Sequence, residues 1–354
     1  MGIDVFSDEL GMGASYPQSI KSRLRCWCLL ATVTALLIQP LQAQPQRDEG
    51  FGLGSGVGTG GGIGGYVESA IVRNQIRFRF DAAYGNNKPD RAEYFYAKCG
   101  CFRVLGADPA APGPAPASGP VLIETNVDYQ IFQADVEFLL TENLSVIFAA
   151  PVRLINPEVN ANTGGIGDLQ AGFKCALWTT PEDVLTMQLR TYIPTGIAER
   201  GLGTNHVSLE PAFLLMHRLS DRLTLESEIK DWIAIGGSSA DGTGFAGETR
   251  FAGNVLSYGV GLGYDLLNDG KQRVTPVIEA VGWTILDGLS SSSTDGTLGT
   301  LLLEKVDGDT IINLKAGARI SDSSLGSLYA GWGTALSKEE WYDNILRVEY
   351  RYGF

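Results

Sequence analysis

Asn344–Phe354 reads N-I-L-R-V-E-Y-R-Y-G-F. Leu346, Val348, Tyr350, Tyr352 and Phe354 fall on one side of an extended chain, and Arg347, Glu349, Arg351 and Gly353 fall on the other. This period-two alternation marks a strand with two unlike faces. The apolar face turns from aliphatic to aromatic and ends on the last residue. Termini ordinarily fray, so a soluble sandwich gains little from such a strand at that place. A closed barrel needs it, because the last strand has to pair with the first or leave two open edges in lipid. Alternation alone fits either architecture, with the apolar set inside a sandwich or outside a membrane barrel. The rest of the chain decides.

Working back from the terminus, the same unit recurs as hairpins. Strands are predicted at about 127–140 and 144–155, 168–179 and 184–195, 207–219 and 223–236, 255–267 and 274–286, and 310–321 and 327–337, with a first strand at 75–84. The tight connections are Thr141–Asn143, Thr180–Asp183, Ser220–Arg222, Asn268–Arg273 and Asp322–Gly326. Between hairpins run longer loops, 85–123, 156–167, 196–206, 237–254 and 287–309, with Lys338–Asp343 the one short connection on that side. Strands of about ten residues, with short turns on one side and long loops on the other, predict an all-β, transmembrane, antiparallel up-and-down β-barrel of about twelve strands. An even count puts both termini at the short-turn, periplasmic end. The terminal strand also resembles the signal that the barrel-assembly machinery reads, with Val348, Tyr350, Tyr352 and Phe354 as its apolar positions.

In such a barrel the polar face is the lumen, since a charge facing lipid costs roughly 2–4 kcal/mol at the midplane. The predicted lining is Arg77 and Arg79 on the first strand, Asp135, Glu137 and Arg153 on the next two, then Lys174, Arg190, Glu210 and Arg218. It continues with Glu226, Glu228, Lys230, Glu279, Lys315 and Arg319, and closes with Arg347, Glu349 and Arg351. Both signs are present, so the lumen reads either as a charged conduit that selects solutes or as a salt-bridged, filled interior. Two irregularities stand out. The alternation in 127–140 changes phase near Ile131-Phe132, which predicts a β-bulge. Asp231 falls on the lipid face, which predicts a one-residue slip in 223–236.

The N-terminal part divides into two. Lys21, Arg23 and Arg25 precede an apolar run, Cys26–Ile38, which Pro40 ends; Leu41-Gln42-Ala43 then reads as a small-residue cleavage site. Residues 1–43 are therefore an extension plus a secretory signal peptide cut after Ala43. Residues 44–70 are Gly-rich and are expected to be a flexible periplasmic segment before the barrel at 71–354. Gly56–Gly61 formally matches G-x-G-x-x-G, but no strand precedes it and no βαβ pattern follows, so it carries no nucleotide site.

The chain of 354 residues carries 27 Lys+Arg against 40 Asp+Glu, a net charge of −13, which argues against nucleic acid as a partner. Of five Cys, Cys26 and Cys28 lie in the leader. Cys175 sits at a lipid-facing position. Cys99-Gly100-Cys101 in a long loop reads equally as a strained local disulfide or as two separate thiols. No metal-ligand spacing and no cofactor motif is visible. His206, two residues before Ser208, offers a thin hydrolase reading; the other histidine, His217, reads as an interfacial side chain.

Gly164-Gly165-Ile166-Gly167-Asp168-Leu169, then Gly172-Phe173-Lys174, then Thr191-Tyr192-Ile193-Pro194-Thr195-Gly196 resemble the outer-membrane barrels of the phenol meta-degradation pathway family. Cys175 stands where an aromatic is common there. The stretches from Arg79, Arg200 and Pro276 are also similar to exported barrels of planctomycete-type, Gram-negative bacteria. The resemblance covers about 71–354. It implies uptake of small aromatic or hydrophobic compounds and transfers no catalytic residue.

The sequence thus leads to a cell outer-membrane channel, embedded in lipid, for passive uptake of small solutes. The alternative is a structural or surface-interaction barrel with a plugged lumen.

Overall fold

In the computed structural model, the last strand pairs with the first, antiparallel, from Gln75 opposite Gly353 to Tyr84 opposite Asn344. The structure describes residues 62–87, 126–158, 161–204, 206–235, 252–293, 301–338 and 340–354. The leader, the formal G-x-G-x-x-G match, Cys99 and Cys101 lie outside them.

The strands are β1 (Gln75–Asn86), β2 (Val127–Thr141), β3 (Leu144–Pro157), β4 (Thr163–Ile166), β5 (Leu169–Thr179), β6 (Asp183–Ile193), β7 (Val207–Arg218) and β8 (Leu223–Ile235). They continue with β9 (Val255–Tyr264), β10 (Leu267–Asn268), β11 (Gln272–Ile285), β12 (Leu289–Ser293), β13 (Leu301–Lys305), β14 (Thr310–Asp322), β15 (Gly326–Ala335) and β16 (Asn344–Gly353). Twelve long strands close into an antiparallel barrel, each paired with its sequence neighbours. The short strands are accessories: β4 extends the β3 edge, β10 lengthens a turn, and β12 with β13 forms a separate hairpin in a long loop.

Side-chain chemistry fixes the turns at one end. Ser220 Oγ accepts from the Leu223 N–H at 3.1 Å, and Asp269 Oδ1 accepts from Lys271 and Gln272 at 2.9 and 2.7 Å. Asp322 Oδ1 accepts from Ser324 at 2.9 Å, and Gly326 then takes φ +87°, a conformation that favours glycine.

Large apolar side chains face outward all round the barrel, among them Phe78, Phe132, Phe148, Phe213, Ile278, Trp332 and Leu346. Charged side chains on the opposite faces are buried. This inversion of the soluble pattern is what lipid requires. Phe138 meets the terminal Phe354 edge to face at 5.7 Å across the closing seam.

Two expectations need correction. β2 keeps one register with β1 from Gln75/Glu137 to Ala83/Tyr129, so no bulge lies at Ile131-Phe132; the shifts fall at the strand ends. The inward face is itself apolar near the long loops, where Val127 and Tyr129 are buried, and this breaks the alternation without breaking the register. Likewise β8 pairs with β9 without a slip from Leu223/Tyr264 to Trp232/Val255, and Asp231 stays on the outward face. A break appears instead in the pairing with β7 around Pro211, which has no N–H to give. A register shift also falls between Ala176 and Trp178, beside the turn that joins β5 to β6.

Candidate functional site: a lumen filled by its own chain

The described end of the Gly-rich tract, from residue 62, lies inside the barrel. Residues 62–70, expected as part of a flexible periplasmic segment, run inside it and are almost all buried. Backbone placed there must find partners for every N–H and C=O. The wall supplies them from both sides.

Carboxylates of β8 and β11 take the N–H groups. Glu226 accepts from Ile63 at 3.1 Å and Gly64 at 2.8 Å. Glu279 accepts from Tyr66 at 2.9 Å and Val67 at 2.7 Å, and Glu228 accepts from Glu68 at 2.8 Å. Guanidiniums of β14 and β16 serve the carbonyls. Arg319 donates to Ile63 and Gly64 at 3.1 and 2.7 Å, Arg351 to Gly62 and Gly64 at 3.2 and 3.0 Å, and Arg347 to Gly65 at 2.7 Å. Charge-assisted bonds of this kind are roughly twice as strong as neutral ones. Glycine suits the position because a side chain would stand between the backbone and these groups. At Gly65 there is no room at all: an added Cβ would fall against the ring of Tyr329.

Tyr66 forms the apex. Its ring lies between two cations, Lys315 Nζ at 3.8 Å and Arg347 Cζ at 4.1 Å from the centroid, with Tyr329 edge-on at 6.2 Å. The chain then turns back. Glu68 brings a carboxylate to Arg77, Arg190 and Lys174 at 3.1, 3.2 and 3.6 Å. Lys174 donates to the Ser69 carbonyl at 3.2 Å, and Ala70 and Ile71 pack on Val184, Ala212, Leu214 and Met216. The Arg73 N–H reaches Glu137 at 3.2 Å, and Asn74 accepts from the Leu139 N–H at 2.8 Å, at the short-turn rim where β1 begins. The segment thus enters and leaves at one end.

The other predicted lumen residues pair largely among themselves. Arg77 grips Asp135 through two bonds of 3.1 Å, and Arg347 grips Asp81 at 2.6 and 2.7 Å. Glu349 lies 2.6 Å from both Arg319 and Arg351. Arg79 donates to Gln133 at 2.7 Å, Lys230 pairs with Glu228 at 2.8 Å, and Glu210 accepts from Tyr192 at 3.0 Å. Arg190 also reaches Gln170 at 3.0 Å. Arg153 and Arg218 are half-buried towards opposite ends of the barrel.

At the long-loop end the lumen turns apolar. Val127, Tyr129, Ile155, Trp232, Val255, Ile285, Ile311, Trp341, Tyr342 and Ile345 form one buried cluster. Between the segment and the wall formed by β1, β2, β3, β5 and β6 a cavity of about 20 Å³ remains, with Glu68, Arg77, Asp135, Glu137, Lys174 and Arg190 among its lining. That is room for a single water.

Of the minor candidates, Cys175 is a free, half-buried thiol. His217 Nδ1 lies 2.6 Å from Asp183 at the short-turn end, half exposed. His206 Nδ1 lies 3.1 Å from Ser208 Oγ, and its ring packs on Trp232 at 5.5 Å. Ser208 is wholly buried against the filled interior. Among the described residues no group of His, Cys, Asp and Glu converges on a metal position.

Sequence reasoning found the wall and missed its occupant. The available signal was Leu214, Met216 and Val184, apolar side chains on the lumen side that a water-filled pore does not need.

No sequence family and no curated protein matches the chain. Solved structures do. The COG4313 outer membrane channel from Pseudomonas putida F1 is 14% identical, with a TM-score of 0.50 over 82% of this chain and 99% of that one. The NanC porin is 7% identical, with a TM-score of 0.42 over 78% and 99% of the two chains. The toluene transporter TodX of Pseudomonas putida is 9% identical, with a TM-score of 0.39 over 88% and 99%. At these identities the likeness is one of fold: this chain, an antiparallel closed barrel of twelve long strands, is similar to the outer-membrane barrel of the COG4313 channel.

Proposed function

We propose that this chain is an outer-membrane channel for small solutes, held shut in this conformation by its own residues 62–74. One observation carries the reading. Glu226 and Glu279 are buried on the wall, yet the N–H groups of the inner segment satisfy them. A barrel built only as a solid support would pair such carboxylates with its own cations, as it does at Arg347–Asp81. Without the segment, the middle of the lumen presents carboxylates on β8 and β11 and guanidiniums on β14 and β16. Charges so placed select solutes by sign and orientation. The aromatic cluster at the long-loop end favours hydrophobic or aromatic solutes. The C-terminal strand, with Val348, Tyr350, Tyr352 and Phe354, is the element offered to the barrel-assembly machinery, and the leader directs export.

The test is conductance in a planar bilayer, comparing the full chain with a variant lacking 62–72. The variant should give discrete, long-lived steps, and the full chain brief and rare ones. A folded variant that stays silent sinks the channel. That result would favour the second reading, a structural or surface-interaction barrel, which the filled lumen and packed outer mouth also support.

A further inference from the structure

The inner segment is held by atoms that every peptide carries. Six consecutive N–H groups, from Ile63 to Glu68, each donate to a carboxylate of the wall: two to Glu226, three to Glu279 and one to Glu228. Four consecutive carbonyls, from Gly62 to Gly65, each accept from Arg319, Arg347 or Arg351. Backbone ordinarily bonds to backbone. Here charged side chains take both its donors and its acceptors.

The wall is shaped to match. The inward positions of β9 are Gly259, Gly261 and Gly263, so along that length the strand puts no side chain into the lumen. Glu226 and Glu228 of β8 stand beside Gly261 and Gly259 on one flank, and Glu279 of β11 stands beside Gly261 on the other. The result is a trough with a glycine floor and carboxylate rims, two strand spacings or roughly 10 Å across. The segment fills it closely. A Cβ at Gly263 would lie 2.6 Å from Ile63 Cδ1, and one at Gly259 would lie 3.1 Å from Val67 Cγ2. On the segment side, a Cβ at Gly62 would lie 2.6 Å from Glu226 Oε1, one at Gly64 would lie 2.9 Å from the Val67 carbonyl oxygen, and one at Gly65 would strike Tyr329. The trough therefore reads a backbone, and it demands glycine at three positions of its occupant.

We propose that this trough is a binding site for glycine-rich peptides of the form Gly-x-Gly-Gly, and that residues 62–68 fill it as a tethered stand-in. The tether gives the segment a high effective concentration, so a free peptide enters when the segment is unseated. The proposal deepens the channel reading and rests on it for access to the site, but binding is read without conductance.

The experiment is fluorescence anisotropy of the end-blocked hexapeptide Gly-Ile-Gly-Gly-Tyr-Val, labelled at its C-terminus, with the full-length Gly65→Ala barrel. Amide hydrogen exchange over 63–68 reports how far the variant's own segment is unseated, and Gly65→Leu takes its place where alanine unseats too little. The unseated barrel should bind the peptide at least tenfold tighter than wild type does. An ester in place of the amide at the tyrosine removes one N–H and should weaken binding about tenfold. Alanine at the fourth position of the peptide, which repeats the clash with Tyr329, should weaken it as much. Gly-Gly-Gly-Gly-Tyr-Gly, which keeps the glycines and the ring alone, should bind within about tenfold of the first peptide. A folded, unseated barrel that takes no peptide at millimolar concentration overturns the proposal, and so does equal binding of the amide and the ester. A barrel that binds only its own sequence also overturns it, because the trough is then a latch for one segment. Conductance without peptide binding removes this site alone, whereas peptide binding without conductance keeps the site and removes the channel.

Discussion

Gly65→Ala should unseat the inner segment while leaving the barrel whole. The added methyl would fall against the ring of Tyr329. That ring has nowhere to go: it is fully buried, its hydroxyl donates to Glu279 at 3.2 Å, and Gly317 and Gly331 already press on it with no side chains of their own. The segment must therefore move, and it is held by the Arg347 bond to Gly65 and the Glu279 bonds to Tyr66 and Val67, all between 2.7 and 2.9 Å. Overpacking of a filled interior costs about 1–3 kcal/mol. If the cost falls on the seated state alone, the unseated fraction rises about five- to 150-fold. Single-channel recording reads this as open probability, with circular dichroism confirming the strands. The double variant Gly65→Ala/Tyr329→Leu, which removes the ring, should return most of the effect, as coupling in a double-mutant cycle. An unchanged open probability in a folded Gly65→Ala barrel would refute the reasoning, and so would a double variant as leaky as the single one.

Other outcomes follow from the same geometry. Glu279→Gln leaves one acceptor oxygen where two carboxylate oxygens now serve three N–H groups and a hydroxyl, so the hold on the segment should weaken by about 1–3 kcal/mol, seen as more frequent openings. Tyr66→Ala removes the ring shared by Lys315 and Arg347, each contact worth about 0.5–2 kcal/mol, and should shorten the closed times. Asp269, in a turn outside the lipid, has its carboxyl held below the usual range by the backbone N–H groups of Gln272 and Lys271. A depressed folded pKa contributes stability above the unfolded value and loses it as pH falls, so wild type and Asp269→Asn should differ in thermal midpoint at pH 7 and converge in acid. His206→Ala should lower the thermal midpoint by removing the packing on Trp232, with ester hydrolysis by the extract unchanged; loss of a measurable esterase would reopen the hydrolase reading.

The wall was legible in the sequence because lipid and pleat impose one rule on every strand. Leu346, Val348 and Tyr350 alternate with Arg347, Glu349 and Arg351 whatever fills the interior. Turn chemistry at Ser220, Asp269 and Asp322 punctuated the strands as the structure does. What the rule cannot see is contact across the lumen. Glu226 and Ile63 are 163 positions apart, and nothing in a Gly-rich tract says whether its backbone meets water or carboxylates. The false bulge at Ile131 has the same origin. An apolar residue on the inward face looks like a slipped strand until the aromatic cluster near it is known. Asp231 misled in the opposite sense, since a single outward carboxylate beside Pro211 imitates a change of register.

The short-turn end, where both limbs of the inner segment meet the rim, also bears on the order of assembly. Gly62 is bonded to Arg351, two residues from the end of β16, and Asn74 is bonded to the Leu139 N–H beside the start of β1. A strand of chain threaded from one mouth to the other would have to be in place before the cylinder closed. A loop whose two limbs share one mouth carries no such demand. The wall can be completed in the membrane first, and the loop can dock afterwards from the periplasm, as a separate and reversible last step.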